Sequence, residues 1–252
     1  MNEIYTAGNH NTFLSLDWSQ FDKRALHAII DDVHVIWKDY FQWDKGYWPT
    51  CFYDKEDSSV EWKLNNLWTW MTDMVKHYPI LGPSGQMYQW TTNGIASGFQ
   101  QTQLLDSFVN AIMTLTTLSQ LGVNIEASSF WYRVQGDDSL IAVAEHLDSN
   151  FLDQFAAIAA DRFNAKLNVK KSVMSTRLDD MTVLSYGNKS GIAERDPNHL
   201  LAQLLYPERG QDLASLASSA LGIATAAMGC SEKLHNVCED IFNFVLHELN
   251  LT

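Results

Sequence analysis

The sequence predicts an α+β fold, in which a small antiparallel sheet is packed by helices. Two β-rich runs flank Gly136-Asp137-Asp138 and predict a hairpin, while a third short apolar run ends at Asp17. Long segments between and after these runs carry apolar residues at helical spacing. A fold with few strands and with helices segregated from them is typical of the α+β class.

The composition is that of a globular protein. The chain has 252 residues, of which 46% are hydrophobic and 12% aromatic, so we expect a sizeable core and no extensive disorder. No apolar run reaches the about 18 residues of a membrane span, and the first residues lack the order of a secretory signal. Three widely placed or helix-spaced cysteines indicate a reducing compartment.

The first predicted elements are a strand and a helix. The apolar run Phe13–Asp17 predicts a buried strand that ends in an acid. From Phe21 to Tyr40, apolar residues recur at three- and four-residue spacing and form one stripe of a helix. Ser19, with Asp22 three residues later, is expected to form the capping box of that helix.

Two further helices are predicted before the hairpin. The first covers Val60–His77 and is followed by a turn at Gly82–Gly85. After a loop at Gly94–Gly98, the second helix runs over Thr102–Leu121 and stops at Gly122. The apolar residues of this helix that we expect to face the core are Leu104, Leu105, Phe108, Val109, Ile112 and Met113.

The hairpin strands are expected at Phe130–Gln135 and Ser139–Val143. A helix over Asn150–Leu167 and a strand over Met181–Tyr186 follow. A turn is predicted at 187–191, and residues 198–251 have an almost wholly helical pattern, broken at Pro207 and at Gly229-Cys230-Ser231.

Three carboxylates stand where an ordinary core would not place them. Asp17 ends a strand, and Asp137 and Asp138 lie at the hairpin tip, so all three meet at one edge if the strand lies beside the hairpin. Neighbouring carboxylates repel one another unless a cation neutralises them, and Mg²⁺ prefers oxygen ligands. Two such ions, about 3.5–4 Å apart, support in-line phosphoryl transfer. The net charge of −13 argues against a nucleic-acid coat protein but not against an enzyme of this kind.

Each motif has a simpler explanation when it is taken singly. Gly-Asp-Asp is a common turn tripeptide, Asp22 can cap a helix, and Ser97-Gly98 can be an ordinary loop. Their occurrence together, in order and each on the expected element, favours a functional interpretation.

As a set, these motifs resemble the palm of viral RNA-dependent RNA polymerases, and most closely the partitivirus and picobirnavirus enzymes. The matching segments are Leu16–Arg24 (motif A, D-x4-D), Gly94–Ser107 (motif B), Gln135–Leu140 (motif C, with GDD), Asn168–Ser172 (motif D), and Leu184–Gly187 with Arg195-Asp196 and Leu200–Arg209 (motif E and the start of the thumb). The thumb-like pattern continues at 220–224. The resemblance implies a palm core over 1–196, with a fingers-like insertion at about 40–93, and a helical partial thumb over 197–252.

The resemblance also implies an activity, RNA-directed RNA polymerisation by two-metal nucleotidyl transfer, and roles for single residues. Asp17 and Asp137 are expected to hold two Mg²⁺ ions, for which Mn²⁺ can substitute, with Asp138 assisting. Asp22 is expected to accept a hydrogen bond from the ribose 2′-OH. The other expected substrate-binding residues are Ser97, Gly98, Thr102 (which fixes the motif B helix), Asp106 and, as a substitute for Asp106, Asn110.

Three basic residues are further candidates. Lys171 is the expected general acid for pyrophosphate, with Lys170 as its competitor, and a solvated surface lysine is an equally good explanation of either. Arg195 is expected to contact the primer backbone, with a surface salt bridge as the alternative.

The implied partners are an RNA template, a primer or nascent strand, ribonucleoside triphosphates and, as a further candidate, viral capsid protein. The implied location is the virion interior or the host cytoplasm, with no secretion and no membrane association. Only sixteen residues precede Asp17 and none is Lys or Arg, so we expect the fingers to be largely missing. Two alternatives stay open: a reverse transcriptase, which Asp22 disfavours, and an inactive or truncated palm that only binds RNA or capsid.

Overall fold

The computed structural model describes residues 10–45, 61–189, 191–207 and 212–249. The chain divides between Met174 and Ser175 into two units, which we call the N-terminal unit and the C-terminal unit. The sequence places the end of the palm core at residue 196 instead, and that domain boundary stays a prediction. Part of the predicted fingers-like insertion, residues 46–60, lies outside the described residues.

A four-stranded sheet forms the centre of the N-terminal unit. Its strands, in spatial order, are β4 (Trp131–Gln135), β5 (Asp138–Val143), β1 (Thr12–Leu16) and β6 (Val173–Ser175). β1 pairs antiparallel with β5, and β5 pairs antiparallel with β4. The predicted first strand and the predicted hairpin are therefore confirmed, and they are neighbours in one sheet.

Five α-helices of the described residues belong to this unit. They are α1 (Phe21–Arg24), α2 (His27–Lys38), α3 (Glu61–His77), α4 (Thr102–Gln120) and α5 (Phe151–Phe163). A short 3-10 helix covers Trp43–Lys45, and a small hairpin of β2 (Pro79–Leu81) and β3 (Met87–Gln89) encloses the predicted turn at 82–85. None of the helices in the described parts of the chain is long and apolar enough to cross a membrane.

The single helix predicted over residues 21–40 is wrong, because the chain breaks into α1 and α2 at Ala25 and Leu26. Leu26 is extended and forms an antiparallel bridge with Asn93. The capping box of Ser19 and Asp22 is also wrong. The N-cap of α1 is Gln20 in a left-handed conformation, and no side chain caps the helix.

The reason lies in the pairing of the chain before α1. The Ser19 N–H donates to the Lys166 carbonyl (2.7 Å), next to a bridge between Trp18 and Leu167. Ser19 is therefore held one residue before the cap position, in a contact that the local sequence does not reveal.

The long helix α4 ends as predicted. Gly122 has φ +83°, and the N–H groups of Gly122 and Val123 donate to the carbonyls of Ser119 and Leu118. This pattern is the Schellman motif, which favours glycine at this position. The prediction for Leu104 is wrong, since its side chain is 55% exposed.

The core-facing positions of α4 follow one another at four-residue spacing. They are taken by Leu105, Val109 and Met113, which leaves Leu104 beside the apolar stripe. Helix α5 ends earlier than predicted, because Asn164 adopts a left-handed conformation at its C-cap.

The core of the N-terminal unit lies where β1, β5 and the helices α2, α4 and α5 meet. Phe155 of α5 is fully buried, and its ring lies 6.0 Å from that of Trp18, which follows β1. The other fully buried large residues of this core include Leu14, Leu16, Ile30, Val33, Leu105, Leu118 and Ile141. This packing fixes the sheet edge that carries Asp17.

The C-terminal unit contains a small three-stranded sheet and three helices in its described residues. After a 3-10 helix at Leu178–Asp180 come β7 (Thr182–Val183), β8 (Tyr186–Lys189), β9 (Ile192–Glu194), α6 (Pro197–Leu205), α7 (Leu213–Ala226) and α8 (Glu232–Glu248). The helical pattern after residue 198 is confirmed, with breaks near both predicted positions.

The strand predicted over Met181–Tyr186 is wrong, because Leu184 and Ser185 adopt left-handed conformations and turn the chain between β7 and β8. The turn predicted at 187–191 is wrong at residues 187–189, which belong to β8 and pair with β9. Neither Leu nor Ser favours the left-handed region, so the local sequence carries no signal for this turn.

We expect Phe155→Ala to lower the free energy of unfolding by about 3–5 kcal/mol, because it opens a cavity in a packed core. Urea unfolding followed by circular dichroism measures this change. The neighbouring Gln154 is exposed, so Gln154→Ala should change stability by no more than about 0.5 kcal/mol. Equal effects of the two substitutions would contradict the described position of Phe155.

Candidate active site

The register of β1 with β5 brings the candidate carboxylates to one edge of the sheet. The last pair of this ladder joins Leu16 to Ser139. Asp17 directly follows Leu16, and Asp138 directly precedes Ser139. The juxtaposition of Asp17 with the hairpin tip, which the sequence predicted, is therefore observed.

The hairpin that carries the other two acids has a two-residue loop, Gly136-Asp137, closed by the pair Gln135–Asp138. Gly136 has φ +63°, a conformation that a glycine adopts without strain at the first position of a type II′ turn. Asp137 is exposed and Asp138 is half-buried. The loop thus presents one carboxylate to solvent at the sheet edge and keeps the next in the first position of β5.

Helix α4 contacts this loop through two polar side chains. The Ser107 hydroxyl accepts a hydrogen bond from the Gly136 N–H (2.8 Å). The Asn110 amide group donates to the carbonyls of Gly136 (3.1 Å) and Asp137 (2.8 Å). These bonds connect the backbone of the acidic loop to a helix of the core.

The structure corrects the interpretation of Asn110 as a residue that contacts substrate. Its side chain is fully buried, and its Oδ1 accepts from Trp18 Nε1 (3.0 Å) and Thr114 Oγ1 (2.9 Å). With both amide hydrogens bonded to the hairpin loop as well, no polar capacity of the amide is left for a ribose.

Asp17 is held from the opposite side by a turn at Asn168–Ser172. The Asp17 N–H donates to Ser172 Oγ (3.0 Å), and the Asn168 N–H donates to the Asp17 carbonyl (2.8 Å). Lys170 and Lys171 are exposed within this turn. Both candidate lysines are therefore tied by their backbone to the strand end that carries Asp17, and the structure does not decide between them.

The loop before α4 is bonded to the segment that carries Asp22. The Ile95 N–H donates to the Asp22 carbonyl (2.7 Å), and the Gly94 N–H donates to the Ala25 carbonyl (2.8 Å). Gly94 has φ +112°, and a Cβ at this position would overlap the ring of Trp90. Glycine is therefore required for the loop to approach Asp22 this closely.

The same loop presents Ser97 and Gly98, which are both exposed in a turn. Thr102, the first residue of α4, donates from its hydroxyl to the Ala96 carbonyl (2.6 Å). This bond connects the loop to the start of the helix, which agrees with the structural role expected for Thr102.

Asp106 lies among other carboxylates. Burial, followed by the nearby negative charges of Asp137 and Asp22, raises the pKa of Asp106 to about 7. Its Oδ1 atom is buried without a hydrogen-bond partner in the described structure. The three acids thus share one electrostatic environment.

The donor atoms at this edge suit a hard divalent cation, because they are carboxylate oxygens. Within the described residues, however, no three side chains of the usual ligand types converge on a common point. The roles of Asp17, Asp137 and Asp138 as metal ligands stay predictions.

Arg195 lies in the C-terminal unit. Its guanidinium stands over the ring of Tyr186 (5.1 Å to the ring centre), and its carbonyl accepts from Cys230 Sγ (3.3 Å). Its expected contact with the primer stays a prediction.

Sequence reasoning missed the roles of Ser107 and Ser172. One signal was available for Ser107, because it lies three residues before Asn110 and shares its helix face. Ser172 offered none, since its bond to Asp17 joins residues 155 positions apart.

We expect the stability of this chain to depend on pH through Asp106. The raised pKa means that the folded state binds a proton more tightly than the unfolded state, so stability falls as pH rises from about 4 to about 7. Asp106→Asn removes this dependence and should gain stability relative to the wild type between about pH 5 and about pH 8. Urea unfolding across this pH range, in the presence of a metal chelator, measures this difference in stability. Parallel pH profiles of the two proteins would contradict the described environment of Asp106.

Comparison with known proteins identifies relatives over nearly the whole chain. The RNA-directed RNA polymerase of White clover cryptic virus 1 is 33% identical over 255 residues, which cover 96% of this chain and 40% of that protein. The RNA-directed RNA polymerase of Atkinsonella hypoxylon virus is 29% identical over 274 residues, which cover 97% and 41%. The chain thus spans about two fifths of the length of these relatives.

Solved structures show the same fold. The RNA-dependent RNA polymerase of a human picobirnavirus superposes with a TM-score of 0.64 at 14% identity, over 98% of this chain and 43% of that protein. An insertion-loop deletion mutant of that polymerase gives a TM-score of 0.63 at the same identity, over 98% and 44%. The predicted α+β palm-type fold is confirmed. Since the model of the viral RNA-dependent RNA polymerase family matches residues 3–239, the chain belongs to that family.

Proposed function

We propose that this chain carries the nucleotidyl transfer centre of an RNA-directed RNA polymerase, which adds ribonucleoside triphosphates to an RNA 3′-OH during viral genome replication and transcription. The observation that carries this proposal is the meeting of Asp17 and the Asp137-Asp138 hairpin at one sheet edge, in a chain of this family. Acids on two neighbouring strands are the arrangement that two-metal phosphoryl transfer needs.

Polymerases of this family generally use divalent metal ions. Asp17 and Asp137 are proposed to hold two Mg²⁺ ions, or Mn²⁺ in their place, with Asp138 at the rim. Such ions lower the pKa of an attacking hydroxyl and stabilise the leaving oxygen in a phosphoryl transfer. The exposure of Asp137 and the oxygen-only donor set support the assignment.

Selection of ribonucleotides is assigned to the group around Asp22. The electrostatic coupling of Asp22 to Asp106 supports a shared role, in which Asp22 accepts a hydrogen bond from the ribose 2′-OH. Ser97 and Gly98 are proposed to contact the same sugar from their exposed turn. Thr102 holds that turn against α4 through its bond to the Ala96 carbonyl.

Lys171 is proposed as the general acid that protonates pyrophosphate, with Lys170 as the competing candidate. The support is the placement of their turn against the backbone of Asp17. Arg195 is proposed to contact the backbone of the primer. The proposed partners are the RNA template, the primer or nascent strand and viral capsid protein, and the proposed location is the virion interior or the host cytoplasm.

The alternative of an inactive or truncated palm that only binds RNA or capsid protein is tested by the same primer-extension assay.

We expect Asp137→Asn to reduce primer extension by about two orders of magnitude or more, because a metal ligand is worth several kcal/mol to the transition state. The assay uses this chain, alone and within the longest continuous reading frame that contains it, with an RNA primer–template and Mg²⁺. Asp161→Asn, at an exposed acid of α5, is the matched control and should leave the rate unchanged. RNA binding without extension by either wild-type protein would favour the inactive palm.

We expect Asp22→Ala to lower the preference for ribonucleotides over deoxyribonucleotides by roughly 10-fold to 100-fold, since a lost hydrogen bond to a charged group costs about 1.5–3 kcal/mol. The measurement is the ratio of kcat/KM for the two nucleotide classes. Asp32→Ala, at an exposed acid of α2, should leave this ratio unchanged. A wild-type protein without preference for ribonucleotides would refute the role of Asp22.

A further inference from the structure

We propose that Ser107 and Asn110 are positioning residues, which hold the Gly136-Asp137 loop in the conformation that presents the Asp137 carboxylate to its metal ion. The inference rests on the proposed function, because it explains how a proposed metal ligand is kept in place. Neither side chain is expected to touch the substrate.

Helix α4 holds the Gly136-Asp137 loop through a set of hydrogen bonds. Ser107 Oγ donates to the Gln103 carbonyl (2.7 Å) and accepts from the Gly136 N–H (2.8 Å), so its orientation is fixed by the helix. The two amide hydrogens of Asn110 reach the carbonyls of Gly136 and Asp137. These three hydrogen bonds thus fix three consecutive peptide groups of the loop, because they engage the Gly136 N–H, the Gly136 carbonyl and the Asp137 carbonyl.

The orientation of the Asn110 side-chain amide is set by its neighbours. Its Oδ1 accepts from Trp18 Nε1 and Thr114 Oγ1, and the indole N–H of Trp18 can only donate. The amide therefore has a single consistent orientation, with its NH₂ group toward the loop. Because Trp18 directly follows Asp17, one buried amide connects the chain beside the first carboxylate to the peptide that carries the second.

The Gly136-Asp137 loop needs these hydrogen bonds to stay in place. Asp137 is exposed on a two-residue loop and lies near the Asp106 carboxyl group, so charge repulsion acts on it whenever both acids are ionised and no cation is bound. A displacement of about 1 Å at a reacting centre can cost about 100-fold in rate. A neutral amide resists this displacement without adding another negative charge, which a carboxylate at position 110 would do.

A merely structural role would lower stability without affecting the loop, and the chain offers matched controls for that. Thr117 is as deeply buried on α4 as Asn110, but its hydroxyl donates only to the Met113 carbonyl of the same helix. Ser119 is an exposed serine of α4. Thr117→Val and Ser119→Ala therefore match Asn110→Ala and Ser107→Ala without touching the loop.

The first measurement is hydrogen exchange of the Gly136 amide in the whole chain, followed by NMR. Ser107→Ala removes the acceptor of this N–H, so exchange should accelerate by about threefold to tenfold. Ser119→Ala should leave it unchanged. An unchanged exchange rate in Ser107→Ala would overturn the inference.

The second measurement is the affinity for Mn²⁺ as a probe, from the paramagnetic broadening of amide signals in the same samples. Ser107→Ala should weaken Mn²⁺ binding about threefold to tenfold and Asn110→Ala at least as much, whereas Thr117→Val should not. If Asn110→Ala fails to fold, Ser107→Ala alone decides the result.

Asp137→Asn separates this inference from the proposed function. If it weakens Mn²⁺ binding while Ser107→Ala and Asn110→Ala do not, the inference is refuted and the proposed metal site stands. If Asp137→Asn itself has no effect, the proposed metal site fails and the inference fails with it. Weakening by all three substitutions, with Thr117→Val unchanged, supports both.

Discussion

The antiparallel register of β1 with β5 is the constraint on which the candidate site depends. It places the residue after Leu16 beside the residue before Ser139, and these residues are two of the acids. Because side chains alternate along a strand, a slip of one residue would turn the core-facing side chains of β1, such as Leu14, to the other face of the sheet. The buried apolar residues of the strand therefore fix the position of Asp17 as well as the stability of the core.

The fold also has to withstand the mutual repulsion of the carboxylates at the site. Burial, and after it the negative charges of Asp137 and Asp22, raise the pKa of Asp106, so the site disfavours a further negative charge at this position. The fold opposes this repulsion with hydrogen bonds at the backbone of both acids. The Asp17 N–H donates to Ser172 Oγ, and the Asn110 amide donates to the Asp137 carbonyl. These bonds use backbone groups, so they leave the carboxylate oxygens available for a cation. The backbone at Asp17 and Asp137 is therefore held in place although the carboxylates repel one another.

Much of this could be predicted from the sequence, and each failure has a physical cause. Strong apolar periodicity and turn residues predicted β1, the hairpin and α4, because these signals act over a few residues. The capping box at Ser19 failed because the Ser19 N–H pairs with Lys166, far away in the chain. The strand through Leu184 failed because its left-handed turn has no glycine. In the site, the meeting of Asp17 with the hairpin followed from topology, whereas the roles of Ser107 and Ser172 depend on long-range contacts that no local pattern carries.

Helix α4 carries both a residue proposed for substrate recognition, Asp106, and a residue proposed for positioning, Asn110. Asp106 and Asn110 are four residues apart and so lie on the same face, one turn apart. Asp106 Oδ1 has no hydrogen-bond partner among the described residues. The Asn110 side chain, in contrast, uses all of its hydrogen-bonding groups in bonds with Trp18, Thr114 and the hairpin loop. All of these contacts, like those that hold Asp17, lie among residues of the N-terminal unit. The geometry of the acidic edge is therefore set within that unit, by the same helix whose apolar stripe builds its core.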